Sequence, residues 1–405
     1  MQKILFKYLK FWVGVYLRRT KPEIVAITGS VGKTSAKEAI FEVLKVKFGG
    51  QVRKSEGNLN NESGVPVAIL DFKKAPSYEA KNPLGWIPII LSAPFKSFFL
   101  KKVEVLVLEL AADKPGDMKY LTSFIKPKIA VLTAIGPAHL EAFKTIDRIV
   151  EEKTDLLRAL TTGGWAIISL DSELLRKVYF DGPPRLDSQV ETGRWQKKSY
   201  AVGYDAEVQA ENIQTKIIDF KAETSFDIKI DSQKEKVILP TLGGFSNVSA
   251  ALAGAAVGII YQMSLSDIAK GLNQVQNEKH RMNVLRAKNN STIIDDSYNA
   301  NPQSMKVALD LMKLLPGGRK IAVLGQMREL GSISEEAHKE IGQIAQKVTD
   351  LVIEVGDNKY GADKNFTSTE ETIEFLLKEV QPSDIILIKA SRTIGLDKIA
   401  DSLKQ

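Results

Sequence analysis

From residue 22 onward, short apolar runs rich in β-branched residues alternate with longer amphipathic stretches. The runs at 23–28, 103–110, 129–135 and 165–170 predict buried strands, and the stretches between them predict crossover helices. This alternation is the pattern of an α/β fold built on a parallel sheet. Between about 199 and 240 the period drops to two, as in S-F-D-I-K-I-D, which predicts an antiparallel β appendage. A helix of alanine and glycine follows over 247–261. A second α/β block starts near residue 279, with strands predicted at 292–296, 320–324, 351–355 and 384–389.

The first twenty residues stand apart. They hold Lys3, Lys7, Lys10, Arg18 and Arg19 and no acid, while Ile4, Tyr8, Phe11 and Val15 recur at helical spacing with Leu5, Trp12 and Tyr16 beside them. Lysines interrupt the apolar run and no small-residue cleavage site follows, so a signal peptide fits poorly. Two readings stay open: a helix lying in a membrane interface, or one packed on its own domain through Phe6, Phe11 and Trp12. Residues 73–102 carry Pro76, Pro83, Pro88 and Pro94 among large apolar side chains, and the prolines argue against one long helix. No apolar stretch reaches the ~20 residues that a membrane span requires. Three units result: a basic amphipathic helix over 1–21, a central α/β domain with the β appendage over 22–278 and a C-terminal α/β domain over 279–405.

Composition narrows the chemistry. A length of 405 residues with 44% hydrophobic and 26% charged positions suits two to three folded domains and excludes a mainly disordered chain. No cysteine is present, which removes disulfides, thiolate zinc sites and cysteine nucleophiles; three histidines make a multi-histidine metal centre a poor expectation. The net charge of +7 suits anionic partners without selecting one. No motif interleaving aromatic and basic residues points to nucleic acid.

The strongest local signal is I-V-A-I-T-G-S-V-G-K-T-S over 24–35, a buried strand entering a glycine turn that opens a helix. Gly29, Ser30, Val31 and Gly32 would present backbone N–H groups to phosphate, aided by the helix N-terminus. Lys33 would neutralise the terminal phosphates, Thr34 would ligate Mg²⁺ and Ser35 would extend the cradle. The loop is shorter than the usual Walker spacing, since Ile27 stands where the first glycine belongs.

T-G-S-V-G-K-T-S resembles the ATP loop of the Mur ligase superfamily, and further matches fall in order along residues 22–400. They are G-N-L-N-N-E-S-G-V-P (57–66), V-L-V-L-E-L (105–110), A-I-G-P-A-H-L-E (134–141) and E-E-K-T-D-L-L (151–157). I-D-D-S-Y-N-A-N-P-Q-S-M (294–305), V-L-G-Q-M-R-E-L-G (323–331) and L-I-K-A-S-R (387–392) are similar to the MurF type, the branch adding D-alanyl-D-alanine. The resemblance implies a P-loop ATPase domain followed by a Rossmann-like domain, and a reaction through an acyl phosphate. It implies Glu109 and His139 as metal ligands beside Thr34, with Lys153 carbamylated at a second Mg²⁺. The acidic neighbours Glu151, Glu152 and Asp155 should oppose this by favouring the ammonium; without the resemblance, Lys153 belongs to a solvated helix face.

The resemblance also implies that Asn60 and Asn61 lie near the reacting phosphate and Arg281 on the transferred phosphoryl group. It gives Asn247 and Asp296 to ATP, the latter at the ribose hydroxyls. Tyr298, Asn299 and Asn301 would shape the cleft, and Lys389, Ser391 and Arg392 would hold an acidic substrate peptide. The implied partners are ATP, UDP-MurNAc-tripeptide and D-alanyl-D-alanine, in the cytoplasm or at the inner face of its membrane. Three features depart from the family. The ATP loop begins at residue 28, where the MurF type carries a separate UDP-sugar domain first; Ser246 stands for the histidine of G-x-H-N; and Gln326 stands for the acid of L-G-D-M. The first of these favours a rival, a related amide ligase acting on a lipid-linked wall precursor or a polyglutamate-type substrate. A non-catalytic ATP-binding scaffold at a membrane is the alternative from another class.

Overall fold

The computed structural model describes residues 2–57, 59–76, 83–137, 139–184, 195–242, 244–357 and 359–405. Asn58, part of the Pro-rich segment (77–82) and Ala138 of the 134–141 motif lie outside the described residues. Among the described residues nine strands form the first sheet: β1 (Glu23–Thr28), β2 (Val52–Lys54), β3 (Val105–Glu109), β4 (Ile129–Leu132), β5 (Gly164–Ser169), β6 (Trp195–Ala201), β7 (Val208–Ile218), β8 (Lys221–Ile230) and β9 (Gln233–Leu239). Their order is β2-β3-β1-β4-β5-β6-β7-β8-β9. The pairs from β2 through β7 are parallel and only β7–β8 and β8–β9 are antiparallel. The expected appendage is therefore the far edge of one continuous sheet. Burial explains the two patterns: β3 and β4 are buried at every position, whereas β7 alternates because much of one face meets solvent.

Helices cover the parallel half: α1 (Gln2–Thr20), α2 (Lys33–Phe48), α3 (Gly64–Ile69), α4 (Ile87–Phe99), α5 (Asp117–Thr122), α6 (Leu140–Phe143), α7 (Ile146–Arg158), α8 (Glu173–Asp181), α9 (Gly244–Ile260) and α10 (Leu265–Leu272). The small residues of α9 let it lie close on α2. A Cβ on Gly254 would sit 3.1 Å from the Ala39 backbone. The second sheet holds β10 (Asn283–Arg286), β11 (Thr292–Asp295), β12 (Lys320–Gly325), β13 (Leu351–Val355), β14 (Lys364–Phe366) and β15 (Ile385–Lys389), in the order β10-β11-β15-β12-β13-β14. All its pairs are parallel except β10–β11. Its helices are α11 (Pro302–Leu314), α12 (Ser334–Val348), α13 (Thr369–Glu379) and α14 (Asp397–Leu403).

The prolines of residues 73–102 do divide the segment, with a 3-10 turn at Pro83–Trp86 ahead of α4, but α4 itself starts with Pro88 in its first turn and contains Pro94. Pro94 has no N–H to give the Ile90 carbonyl, and the Tyr8 hydroxyl donates to that carbonyl instead, at 2.9 Å. Arg19 likewise donates to the Ser97 and Leu100 carbonyls at the end of α4, at 3.0 and 2.6 Å. The face by which α1 packs differs in part from the expected Phe6, Phe11 and Trp12: Phe6 is buried and Trp12 half-buried, but Phe11 stays exposed. Phe6, Leu9, Val13 and Tyr16 are buried, whereas Ile4 and Phe11 are 74% and 57% exposed. Burial of such side chains contributes ~1.5–3 kcal/mol each, so α1 belongs to the core of the first unit. No described helix is long and apolar enough to cross a membrane.

Candidate active site

The site gathers at the C-terminal ends of β1, β3 and β4, where open parallel sheets bind ligands. β1 passes through Gly29–Gly32 into α2, and Gly32 takes φ 81°, a left-handed conformation that glycine adopts without strain. Thr133 supports the loop by donating its hydroxyl to the Val31 carbonyl at 2.6 Å. The Ser30 amide donates to the Ala134 carbonyl at 2.7 Å. Lys33 folds back over the loop, with Nζ donating to the Gly29 carbonyl at 2.8 Å. Burial lowers its pKa, against the opposing charges of Glu109 and Asp113.

Glu109, at the end of β3, is 2% exposed. Its Oε2 accepts from Thr34 Oγ1 at 3.0 Å and its Oε1 from Asn60 Nδ2 at 2.8 Å. Burial alone would raise its pKa. The charges of Lys37, Lys33 and Arg281, with the Asn60 bond, outweigh burial and hold the carboxyl below its ordinary value. An ionised carboxylate beside a hydroxyl is a hard-oxygen donor pair suited to Mg²⁺, which takes one or two carboxylates and completes its shell with water and phosphate. Among the described residues no group of three or more His, Asp or Glu could hold a metal ion.

His139 takes a left-handed backbone at the N-terminus of α6. Its Nε2 lies 3.3 Å from Asp113 Oδ1 and its Nδ1 2.5 Å from Glu329 Oε2, so a contact from the second unit reaches it. Lys153, on α7, is 1% exposed, not part of a solvated face. Its nearest recorded acceptor is the Ala112 carbonyl at 3.5 Å. Burial first, then the charge of Lys33, lowers its pKa to about 7, overcoming Asp113, Glu152 and Asp117. The expectation that acidic neighbours keep the ammonium is thus reversed. Glu152, for one, is directed to the Gly116 and Met118 amides at 2.9 and 2.7 Å.

Arg281 approaches from the segment joining the two sheets. Its guanidinium stacks over the Tyr298 ring at 3.9 Å, and its charge acts on both Glu109 and Lys33. Arg392 lies over the same ring at 5.1 Å and donates to its hydroxyl at 3.3 Å. A cavity of about 10 Å³ joins Thr34, Ser35, Asn247, Asn277, Glu278 and Arg281. Asn247 Nδ2 donates to Asn277 Oδ1 there, at 3.1 Å.

Several residues named from sequence have structural partners. Asn61 accepts from the Gly64 amide at 2.9 Å in the turn before α3, and Asn301 caps α11 through the Ser304 amide at 2.8 Å. Lys389 is 2% exposed and ion-paired with Asp296 Oδ2, and it donates to the Asn299 carbonyl at 2.9 Å. It is not available to a peptide carboxylate. Ser391 is buried too, accepting from the Arg328 amide at 2.9 Å. Of that triplet only Arg392 is exposed.

Sequence reasoning missed Lys37, Glu278, Asp113 and Glu329. Lys37 stands one helical turn after Lys33, a spacing that places both on one side of α2. It is fully buried and bonded to Glu278 Oε1 at 2.9 Å, with Glu38 at 3.3 Å. Asp113, four residues past Glu109, and Glu329 gave no signal without the chain reversals that bring them to His139.

Residues 27–258 match the family described as the Mur ligase middle domain, and residues 280–392 match the Mur ligase, glutamate ligase domain. The chain belongs to the Mur ligase family. This Mur ligase is 27% identical over 402 residues to the UDP-N-acetylmuramoyl-tripeptide–D-alanyl-D-alanine ligase of Bacillus subtilis (strain 168), covering 96% of this chain and 77% of that one. It superposes on the crystal structure of MurF from Acinetobacter baumannii with a TM-score of 0.80 at 26% identity, over 98% of this chain and 79% of the other. MurF ligase from Thermotoga maritima in complex with ADP gives 0.80 at 25% identity, over 98% and 83%. Mur ligases use ATP and Mg²⁺.

Proposed function

We propose that this Mur ligase joins D-alanyl-D-alanine to UDP-MurNAc-tripeptide at the expense of ATP, as the names of its relatives describe for them. The observation carrying this reading is the cluster of Lys33, Thr34 and Glu109 at the glycine loop, within electrostatic reach of Arg281 from the second unit. The substrate carboxylate attacks the γ-phosphorus of ATP, forming an acyl phosphate and ADP. The dipeptide amine then attacks the acyl carbon, the amide C–N bond forms, phosphate leaves with the C–O electron pair, and the nitrogen gives up one proton to the departing phosphate. Negative charge gathers on phosphoryl oxygens in both steps.

Lys33 would exchange the Gly29 carbonyl for a phosphate oxygen, and Arg281, braced on Tyr298, would approach the same group from the other side. Asn60 fixes the rotamer of Glu109 so that its second oxygen stays with Thr34. Asp296 retains lone pairs for ribose hydroxyls, since Lys389 and the Met282 amide take one direction on each oxygen. Thr34 and Glu109 would hold one Mg²⁺, and His139 with a Lys153 carbamate a second, supplying charge neutralisation at the phosphates. A buried amine with its pKa near 7 is partly neutral at physiological pH, the form that takes up CO₂.

The test is phosphate release with ATP, D-alanyl-D-alanine and a panel of acceptors, with the product identified by mass spectrometry. UDP-MurNAc-pentapeptide is the expected product. Turnover only with a lipid-linked or polyglutamate-type acceptor would replace the substrate assignment, and nucleotide binding without turnover under any combination would leave a scaffold.

A further inference from the structure

The packing of α1 on α4 buries one side of each helix and leaves an apolar face in solvent. On α4, Ile87, Leu91, Phe95 and Phe99 repeat every four residues along a single ridge, and they are 45%, 73%, 63% and 68% exposed. Phe95 and Phe99 stack with ring centroids 4.4 Å apart. Phe98, 55% exposed, meets Trp12 at 6.1 Å, and Trp12 meets Phe11 of α1 at 5.0 Å, so the patch continues across both helices. Such a contiguous run of large exposed side chains marks an interaction surface and not ordinary surface scatter.

Charge selects the occupant. Residues 2–22 contain six basic side chains and residues 83–103 three, and neither segment contains an aspartate or glutamate. Beside Phe11 lies a groove of about 510 Å³ whose lining includes Lys7, Lys10, Arg18 and Ser123. Lys7, Arg18, Lys101 and Lys102 are exposed. An apolar, aromatic ridge on two helices that carry bases and no acid, with Asp71 as the acid acting on Lys96, matches the boundary between acyl chains and anionic headgroups. A protein partner would have to bring its own acids to such a rim, whereas an anionic bilayer presents them everywhere.

We infer that the α1–α4 face docks on an anionic phospholipid bilayer, with the Ile87–Phe99 ridge at the acyl boundary and the Lys7–Arg18 groove on headgroup phosphates. The surface is composite. Leu9, Val13 and Tyr16 of α1 belong to the core, so removing α1 would disturb the fold and could not test the idea. Substitutions confined to exposed positions do test it.

The full chain should co-sediment with vesicles of phosphatidylglycerol and phosphatidylcholine at low salt, and much less with phosphatidylcholine alone. Leu91→Ser, Phe95→Ser and Phe99→Ser combined should lower the bound fraction at least about tenfold. Lys7→Glu with Arg18→Glu should do the same for the anionic vesicles, and added salt should weaken binding by the unmodified chain. Thermal unfolding and ligase turnover on a water-soluble acceptor should stay unchanged in the ridge variant, which separates docking from folding and chemistry. The inference fails if the full chain stays in the supernatant with both vesicle types, if it binds both equally, or if the ridge variant binds as well as the parent. It fails also if sedimentation equilibrium shows a dimer that the ridge variant loses while neither protein binds vesicles, because the face would then join two copies of this chain.

Discussion

Lys37 and Lys153 are both fully buried, on α2 and α7 of the same unit, yet the structure treats their charges in opposite ways. Lys37 is bonded to Glu278, lies 3.3 Å from Glu38 and feels Glu109, and these carboxylates raise its pKa despite burial. Lys153 has a carbonyl at 3.5 Å and the charge of Lys33 nearby, and its pKa falls to about 7. Burial is common to both, so partners decide the outcome. One lysine is a permanent cation that ties the loop helix to the segment carrying Arg281. The other is an amine with its proton weakly held.

Lys33 is the sharpest probe of this difference, because its charge acts on Lys153 and it is also the proposed phosphate contact. Lys33→Ala should reduce turnover on the order of 10³-fold, as measured by phosphate release. It should also raise the Lys153 pKa and reduce a ¹³C carbamate signal from labelled bicarbonate. A loss below tenfold would remove the loop from the phosphate site.

Lys37→Met breaks the buried network from one side, removing the direct partner of Glu278 and the first of the charges that hold Glu109 ionised. Stability should fall by about 3–5 kcal/mol in denaturant titration. A neutral result would mean that Lys37 is not the cation the comparison requires.

Lys153→Ala should fold and lose activity by roughly 10–100-fold, the usual effect of disturbing a metal site. A small carboxylate such as formate should restore part of it, whereas the same salt should do nothing for Lys33→Ala. A Lys153 that remains an ammonium in active enzyme equilibrated with labelled bicarbonate would break the contrast.

The smallest effect is on pH dependence. The folded pKa of Lys153 lies below its unfolded 10.5, so the unfolded chain binds more protons between about pH 7 and 10.5, and this residue makes stability rise with pH there. Lys37, with its pKa raised, contributes stability that is present below 10.5 and lost only as pH rises through its folded value. Comparing the parent with Lys153→Met by denaturant midpoints at pH 7 and 9 should show about 1–2 kcal/mol less rise in the variant. Equal rises would place the titration elsewhere.

Much of this protein follows from local pattern. The glycine loop needs only its own residues and the strand and helix beside it, so T-G-S-V-G-K-T-S marks a candidate phosphate site unaided. The buried strands and the family's motifs are legible for the same reason: period and short spacing survive in one dimension. Tertiary structure alone decided what depends on distant chain segments. It buried Lys389 against Asp296, 93 residues away, tied Asn61 to the turn before α3 and made Asn301 the cap of α11. It brought Glu329 to His139 and Glu278 to Lys37. It made a helix of the Pro94 segment because a tyrosine from α1 could serve the orphaned carbonyl. Protonation of a buried lysine belongs to this second class, since desolvation and Coulomb terms depend on distance in space, and residues adjacent in sequence, such as Glu152, can be directed elsewhere.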